Sequence, residues 1–544
     1  MVSVSRRLLV TALLSLVVLG VLWFVRPWFQ PLAYALFVES PGVLQWLAVV
    51  ALLLGAYVAY GARNGWPGSG VRVETDAGRV PLPIVVAGFL VVLAIVGGSV
   101  VGGLYEAEAT SERVGAAVTD VDTLPETSAE RARVLPQSVA RAYAQNSLQS
   151  PQFRLAGGDI SVVNGTPKWS YALAPDGGIN SYRLKQRGAV FVDMTTTSSN
   201  VTVREGEFQV GQGMAVTDDY EWQLAKHAYF RDYRDPFVVP HGDEMFLAVP
   251  YVTHDWEFRA TPLPQLHSVP EFGGVSLVAQ NGSITDLSPE EARSSEVLAG
   301  QNFYPYELAR HEVASRAYQN GILNTWFTHE DQLELAPVPG ENDQPFTVFT
   351  EDGPTYVLAA EPWGDAAGVY QLWTIDGRSG EPQRLTFSQS EALLGPSKAT
   401  DYAMRTPDVA RLNDVSPAEP IPVVRDGRLY WQVHVVPNSS AGLSYIAFVD
   451  ARSGDVYTVG TGSEAKAFLA GESVQPGGSG NQSGGGTGGV GSGDGLVIVV
   501  EREDGSTERV TVGPNDSVVI RQRGGQDTRG NATTNGTAAR SVAD

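Results

Sequence analysis

Three uncharged apolar runs open the chain, at residues 8–25, 43–60 and 82–104. Each is long enough to cross the ~30 Å hydrocarbon core of a bilayer as a helix. The first lacks a small-x-small cleavage signature and two more runs follow it, so it reads as a retained anchor. Arg6 and Arg7 precede the first run, and Arg63, Arg72 and Arg79 lie between the second and third. Arg26 alone lies between the first and second. The positive-inside rule then puts the N-terminus in the cytoplasm and everything after residue 104 outside. No Asp, Glu, Lys, Arg or His falls within the runs, which argues against a self-contained transporter. Ala94, Gly98 and Gly102 recur at four-residue spacing, a face that allows close helix approach. Packing within the chain is the simpler use of that face, and homodimerisation the sharper one.

Beyond residue 104 the pattern becomes mixed. Residues 105–127 read as a polar spacer. An apolar stripe of Val139, Ala142 and Tyr143 predicts a helix over 136–148. Alternation predicts strands at 168–175, 179–184 and 189–194. Residues 208–250 hold Tyr220, Trp222, Tyr229, Phe230 and Tyr233, consistent with a core layer. Residues 244–251 and 274–280 read as a strand pair with a long insertion between them, closed at Asn281–Gly282. Ser288-Pro-Glu-Glu291 is a capping box that opens a helix to about residue 298. A second helix over 305–319 stops at Asn320–Gly321 and carries Tyr306, Ala309, Val313 and Ala317 on one face. Further strand pairs follow at 355–362 with 370–376 and at 429–437 with 444–450. In the last, Tyr430, Gln432, His434 and Val436 face one way, and Trp431, Val433 and Val435 the other.

One phrase recurs. An aromatic residue, five residues and a proline run from Trp169 to Pro175, Tyr356 to Pro362 and Trp431 to Pro437. A second strand then ends in Asp376-Gly-Arg-Ser-Gly380 or Asp450-Ala-Arg-Ser-Gly454. In such turns aspartate supplies a local acceptor and glycine takes the positive φ. Repetition at this length marks a small supersecondary unit used several times. The closing phrases, clearest within 355–457, resemble the end of a PepSY module: Asp450, Ala451, Gly454, Asp455 and Val456 match well, and Asp376, Gly380 and Glu381 less closely. The resemblance implies a helix packed on a small antiparallel sheet, an extracytoplasmic binding or inhibitory role, and no catalytic residues to carry over. The long connections after the prolines depart from that pattern.

The predicted fold class is α+β: three N-terminal transmembrane helices, then an extracellular ectodomain of repeated antiparallel β/helix units. The division is a membrane anchor at 1–104, a spacer at 105–127, a first α+β region at 128–287 and a helical pair with two PepSY-like repeats at 288–470. A Gly/Ser linker follows at 471–495, then a small β-unit at 496–523 and a disordered tail at 524–544. The β-unit is too small to bury a core alone and must dock on its own ectodomain, a second copy or a partner strand.

Composition sharpens the setting. The chain of 544 residues has 60 acidic and 38 basic residues, only five of them lysine, and no cysteine. Nine of those charges, six Arg and three acids, precede residue 105, so the remainder carries a net charge of −25. An acidic, lysine-poor surface of this kind suits a halophilic, archaeal-type environment. It disfavours nucleic-acid binding, which needs basic patches. The absence of cysteine excludes disulfides, thiolate metal sites and Cys nucleophiles. Asn-x-Ser/Thr sequons at Asn164, Asn200, Asn281, Asn438, Asn481 and Asn515, with Asn531 and Asn535 in the tail, are possible N-glycosylation sites.

No cofactor, metal or catalytic set is identified. His311–Glu312 and His329–Glu330–Asp331 do not extend to His-Glu-x-x-His, and Asp376 and Asp450 lack the alternating ligands of a calcium loop. The first expectation is a noncatalytic, membrane-anchored binding or structural glycoprotein of the cell envelope, with a protein partner or homo-oligomer. The alternatives are an accessory subunit of a transport, secretion or conjugation complex, or an envelope hydrolase. A hydrolase requires that some of His227, His254, His311 and His329 converge with carboxylates. Function is expected in what departs from the repeat: the insertion between Tyr251 and Phe272, the helical pair at 289–320, and the C-terminal strands.

Overall fold

The computed structural model describes residues 6–64, 72–75, 78–339, 343–364, 368–388, 391–439, 442–472, 496–501 and 507–512. Its three apolar runs are helices long and apolar enough to cross a membrane. The first, Arg6–Val25, does not stop where its apolar run ends. It continues through a 3₁₀ turn, a short α segment and a π turn to Glu39. Pro27 and Pro31 lack amide donors, and the regular α-helical ladder gives way there. The second helix, Pro41–Asn64, and the third, Leu82–Ala117, pack against each other, with Val43 beside Gly98. Gly98 permits that approach: a Cβ on it would lie 2.7 Å from the Val43 Cα. The small-residue face thus packs within the chain.

The stretch read as a polar spacer is corrected. The third helix runs 13 residues past Leu104, about 20 Å at 1.5 Å per residue. Tyr105, Ala107, Ala109, Thr110, Ser111 and Val114 are buried there. The charges that made the segment look like a tether are spent on partners: Glu108 takes Arg259, and Arg113 takes Glu257. Thr119–Asp120 then adds a parallel strand to Pro382–Thr386, and Thr127 exchanges backbone and side-chain hydrogen bonds with Val424.

A helix followed by a four-stranded meander occurs three times beyond the membrane helices. Helix Gln137–Ser147 precedes the sheet of Phe153–Val163, Thr166–Pro175, Ala189–Asp193 and Asn200–Arg204. Helix Tyr306–Ala314 precedes Leu333–Leu335 with Phe346–Phe349, then Pro354–Pro362, Gln371–Asp376 and Pro382–Thr386. Helix Pro396–Arg405 precedes Val415–Arg425, Arg428–Pro437, Tyr445–Asp450 and Val456–Val459. The recurring aromatic makes the same bond in each. Trp169 Nε1 donates to the Leu135 carbonyl (2.9 Å), the Tyr356 hydroxyl to that of Tyr304 (2.7 Å), and Trp431 Nε1 to that of Leu394 (2.7 Å). Each acceptor lies two residues before its helix, so the aromatic ties helix entry to the second strand. The turn aspartates also match, since Asp376 and Asp450 each accept from the amides two and three residues on.

A further sheet sits among these units. Its centre is a hairpin of Glu244–Arg259 and Gln265–Ala279, paired from Phe246↔Ala279 to Arg259↔Gln265. What the sequence suggested was an insertion between two short strands is the distal half of this hairpin. Two further expectations change. Residues 179–184 are not a strand, because Gly178–Arg183 is helical, and the helix after the capping box ends at Ser294. The hydrophobic cores cross the boundary set at 287: Phe349 packs with the first meander, and Val252 with Tyr304 and Trp373. Leu496–Glu501 pairs in parallel with Asn200–Arg204 and antiparallel with Thr507–Val512, so the C-terminal strands dock on the first meander's edge. Residues 473–495 of the linker, the rest of the 496–523 β-unit, the tail, and Asn481, Asn515, Asn531 and Asn535 lie outside the described residues.

Candidate functional site

The hairpin reaches the start of the second apolar helix and the later half of the third, and is bonded to both. Gln265 donates to the Gly98 carbonyl (2.8 Å) and accepts from Trp46 Nε1 (2.9 Å). Gln45 spans the Pro264 carbonyl and the Leu266 amide. The Tyr105 hydroxyl serves both the amide and the carbonyl of Leu263. Arg259 grips Glu108 with two hydrogen bonds, at 2.6 and 2.9 Å. From the second unit, Arg316 donates to the Ser111 carbonyl. Along the first helix, Arg26 and Gln30 donate to carbonyls in residues 226–231.

Between these contacts lies a cleft of about 290 Å³. One wall is the turn between the first two helices, Glu39 to Gly42, and another is Ser99, Gly102, Gly103 and Glu106 on the third. Arg234, and His254, Ser268 and Pro270 of the hairpin, form the third wall. Glu307, Leu308 and His311 of helix Tyr306–Ala314 close it. Gly103 helps leave the space open, since a Cβ there would meet nothing within 4 Å.

Two histidines in the cleft are driven apart electrostatically. His254 Nδ1 lies 2.8 Å from the Tyr34 hydroxyl. Burial pushes its pKa down to about 4, with Arg234 and His311 adding repulsion against the pull of Glu106. Burial acts in the same sense on His311, but the hydrogen bond and charge of Glu106, 2.5 Å from Nε2, outweigh it and raise the pKa. Burial also raises the carboxyl of Glu307. The cleft therefore holds one imidazole that burial keeps neutral beside another whose pKa Glu106 draws the opposite way. Such separation is what lets two like groups divide acid and base roles.

Of the four histidines singled out in the sequence, the structure brings together His254 and His311. His227 is elsewhere, 2.9 Å from Asp286. His329 stacks on Trp363 in a left-handed turn. His267 is buried against Tyr105, and His434 is fully buried on strand Arg428–Pro437. Glu39, Glu106, Glu307, Arg234 and Tyr34 were not foreseen. Nothing local in the sequence sets them apart: Glu39 precedes the second apolar run and Glu106 follows the third, but the groups they face come from the hairpin and helix Tyr306–Ala314. Among the described residues, no group of three or more His, Cys, Asp or Glu is placed to hold a metal ion. Asn164, Asn281 and Asn438 are exposed, while Asn200 starts the strand that pairs with Leu496–Glu501. No family model matches the chain, and no curated protein or solved structure is significantly similar to it.

Proposed function

We propose that this chain is a membrane-anchored, noncatalytic binding or structural protein of the cell envelope, with its N-terminus cytoplasmic and the region after the third helix outside. The observation that carries the reading is the seating of the hairpin and of helix Tyr306–Ala314 on the outer ends of the apolar helices. A simple tether needs none of those bonds. They hold the large acidic region at one height and one orientation, which suits a platform that presents a face to a partner. The arginine distribution supports the orientation. The order of helix, meander and aspartate turn supports a PepSY-like reading of the three units.

Crosslinking of the full chain in native membranes at high salt, followed by pull-down, tests the role. A recurring partner or a crosslinked second copy is the expected result. Constant co-purification with a larger membrane protein points to the accessory-subunit alternative, and a monomer free of crosslinks overturns both.

The presence of His254 in the same cleft as the His311–Glu106 pair favours a second reading, an acid–base site in the cleft. Ser40 and Ser99 are close enough to line the same space. Labelling of either serine by a fluorophosphonate, lost in His254→Gln, would support hydrolysis. Absence of labelling in the intact membrane protein would count against a serine hydrolase.

A further inference from the structure

We propose that the tip of the long hairpin, residues 256–266, is a second membrane contact that enters the interfacial layer of the outer leaflet. The proposal rests on the reading of the apolar helices as membrane spans. Depth comes from the tip's bonds. Gln265 binds Gly98, six residues inside the outer limit of the third apolar run, or about 9 Å at 1.5 Å per residue. Gln45 and Trp46, which hold Pro264, Gln265 and Leu266, lie four and five residues into a helix that begins at Pro41, about 6–8 Å. Interfacial segments bury their apolar side to a depth of ~5–10 Å.

The chemistry of the tip fits that depth. Residues 260–266, Ala-Thr-Pro-Leu-Pro-Gln-Leu, carry no charge. Trp256, Phe258 and Leu263 are 55%, 61% and 47% exposed, a large apolar surface for a loop in water. The flanking charges are paired higher on the third helix, Arg259 with Glu108 and Glu257 with Arg113. Backbone is the stricter criterion, because unpaired amides and carbonyls are costly where water is scarce. Pro262 and Pro264 have no amide to satisfy. The Leu263 amide and carbonyl, the Pro264 carbonyl and the Leu266 amide are all bonded to Tyr105 or Gln45. Trp256, its indole N–H on the Val38 carbonyl, has the amphipathic character of an interfacial aromatic. The occupant is a lipid surface, contiguous with the one around the helices.

The cysteine-free chain allows a direct test with single-cysteine variants of the full-length protein, labelled with an environment-sensitive fluorophore and reconstituted at low density in phosphatidylglycerol-containing vesicles. Leu263→Cys reports the tip and Leu52→Cys the second helix. Asn281→Cys reports the other end of the hairpin sheet, roughly 45 Å away at 3.4 Å per residue. The expected result is that Leu263→Cys behaves like Leu52→Cys, quenched several-fold more by lipid-borne nitroxide than by iodide, while Asn281→Cys shows the reverse. If Leu263→Cys follows Asn281→Cys while Leu52→Cys stays lipid-quenched, the proposal is overturned and the membrane spans stand. If Leu52→Cys is also quenched by iodide, the reading of the spans fails. Shielding of Leu263→Cys from both quenchers means that protein, such as a second copy, covers the tip, and this also overturns the proposal.

Discussion

At the scale of single residues, the region beyond the apolar helices keeps its polar groups in a few buried knots. Arg133 and Glu419 pair at 2.6 Å with side chains 9% and 1% exposed, and Arg133 lies over the Trp169 ring. Replacing Arg133 by Ala would leave the carboxylate buried without its counter-charge, a loss of roughly 3–5 kcal/mol. Denaturant melts of the full chain in detergent should show it, and a loss below about 1 kcal/mol would mean water reaches Glu419. His434, in the same knot, is fully buried, and burial lowers its pKa to about 4. Above pH 6.5 it is neutral in both folded and unfolded chains and contributes nothing. Below that, the unfolded chain binds a proton that the folded one refuses, so stability falls as pH drops toward 4. The loss approaches roughly 3 kcal/mol at 1.36 kcal/mol per pH unit. His434→Leu should remove this share, narrowing the gap in melting midpoint between pH 7.5 and 4.5; an unchanged gap would rule the histidine out. The alternation in 429–437 placed His434 on a strand face, but nothing local could show that both faces of that strand are covered. Glu419 and Arg133, its charged neighbours, come from 15 and 301 residues away in the chain.

At the scale of elements, turns were legible and long-range partners were not. The aspartate–glycine turns at 376–380 and 450–454 form as their residue types require, because aspartate caps its own following amides. Hidden from the sequence was the packing above each glycine. A Cβ on Gly380 would lie 2.2 Å from the Tyr304 ring, and one on Gly454 2.6 Å from that of Tyr402. Gly380 has a φ of 78°, while Gly427, at 68°, has open space around it. Gly427→Ala should therefore cost only the left-handed backbone penalty, about 1–2 kcal/mol. Gly380→Ala must also displace Tyr304, whose hydroxyl donates to Glu312 at 2.7 Å, and should cost roughly 1–3 kcal/mol more. Equal costs in paired melts would mean the ring moves freely. The same division explains the errors of reading. The hairpin's far half seemed an insertion because it packs on the surface of the second and third apolar helices, not on a core of its own region. The extension of the third helix looked like a tether because its charges pair with residues more than 140 positions away. The cleft lies where those two misread elements meet, so its histidines could be suspected in advance but its carboxylates could not.

For the whole molecule, the C-terminal strands pose the remaining question of what they hold. Leu496–Glu501 supplies one side of Asn200–Arg204, whose other side is Ala189–Asp193. The core beneath that sheet joins Val139 and Ala140 of helix Gln137–Ser147 to Val190, Val192 and Val201 of the meander. Truncation after Glu472 should leave the far-ultraviolet spectrum and the melting midpoint of the rest nearly unchanged. It should also uncover a five-residue edge with amides and carbonyls free to pair. Such an edge recruits other chains unless something blocks it. The truncated protein should therefore associate with rising concentration in sedimentation experiments in detergent. A peptide spanning 496–512 should suppress that association by refilling the edge. A truncated chain that stays monomeric and ignores the peptide would show that the edge is protected without these strands. If the full chain captures a partner that the truncated chain loses, the docked strands are part of the partner's binding face. If truncation instead strengthens capture, the strands occupy by default the edge that a partner's strand would take, and the C-terminus acts as its competitor.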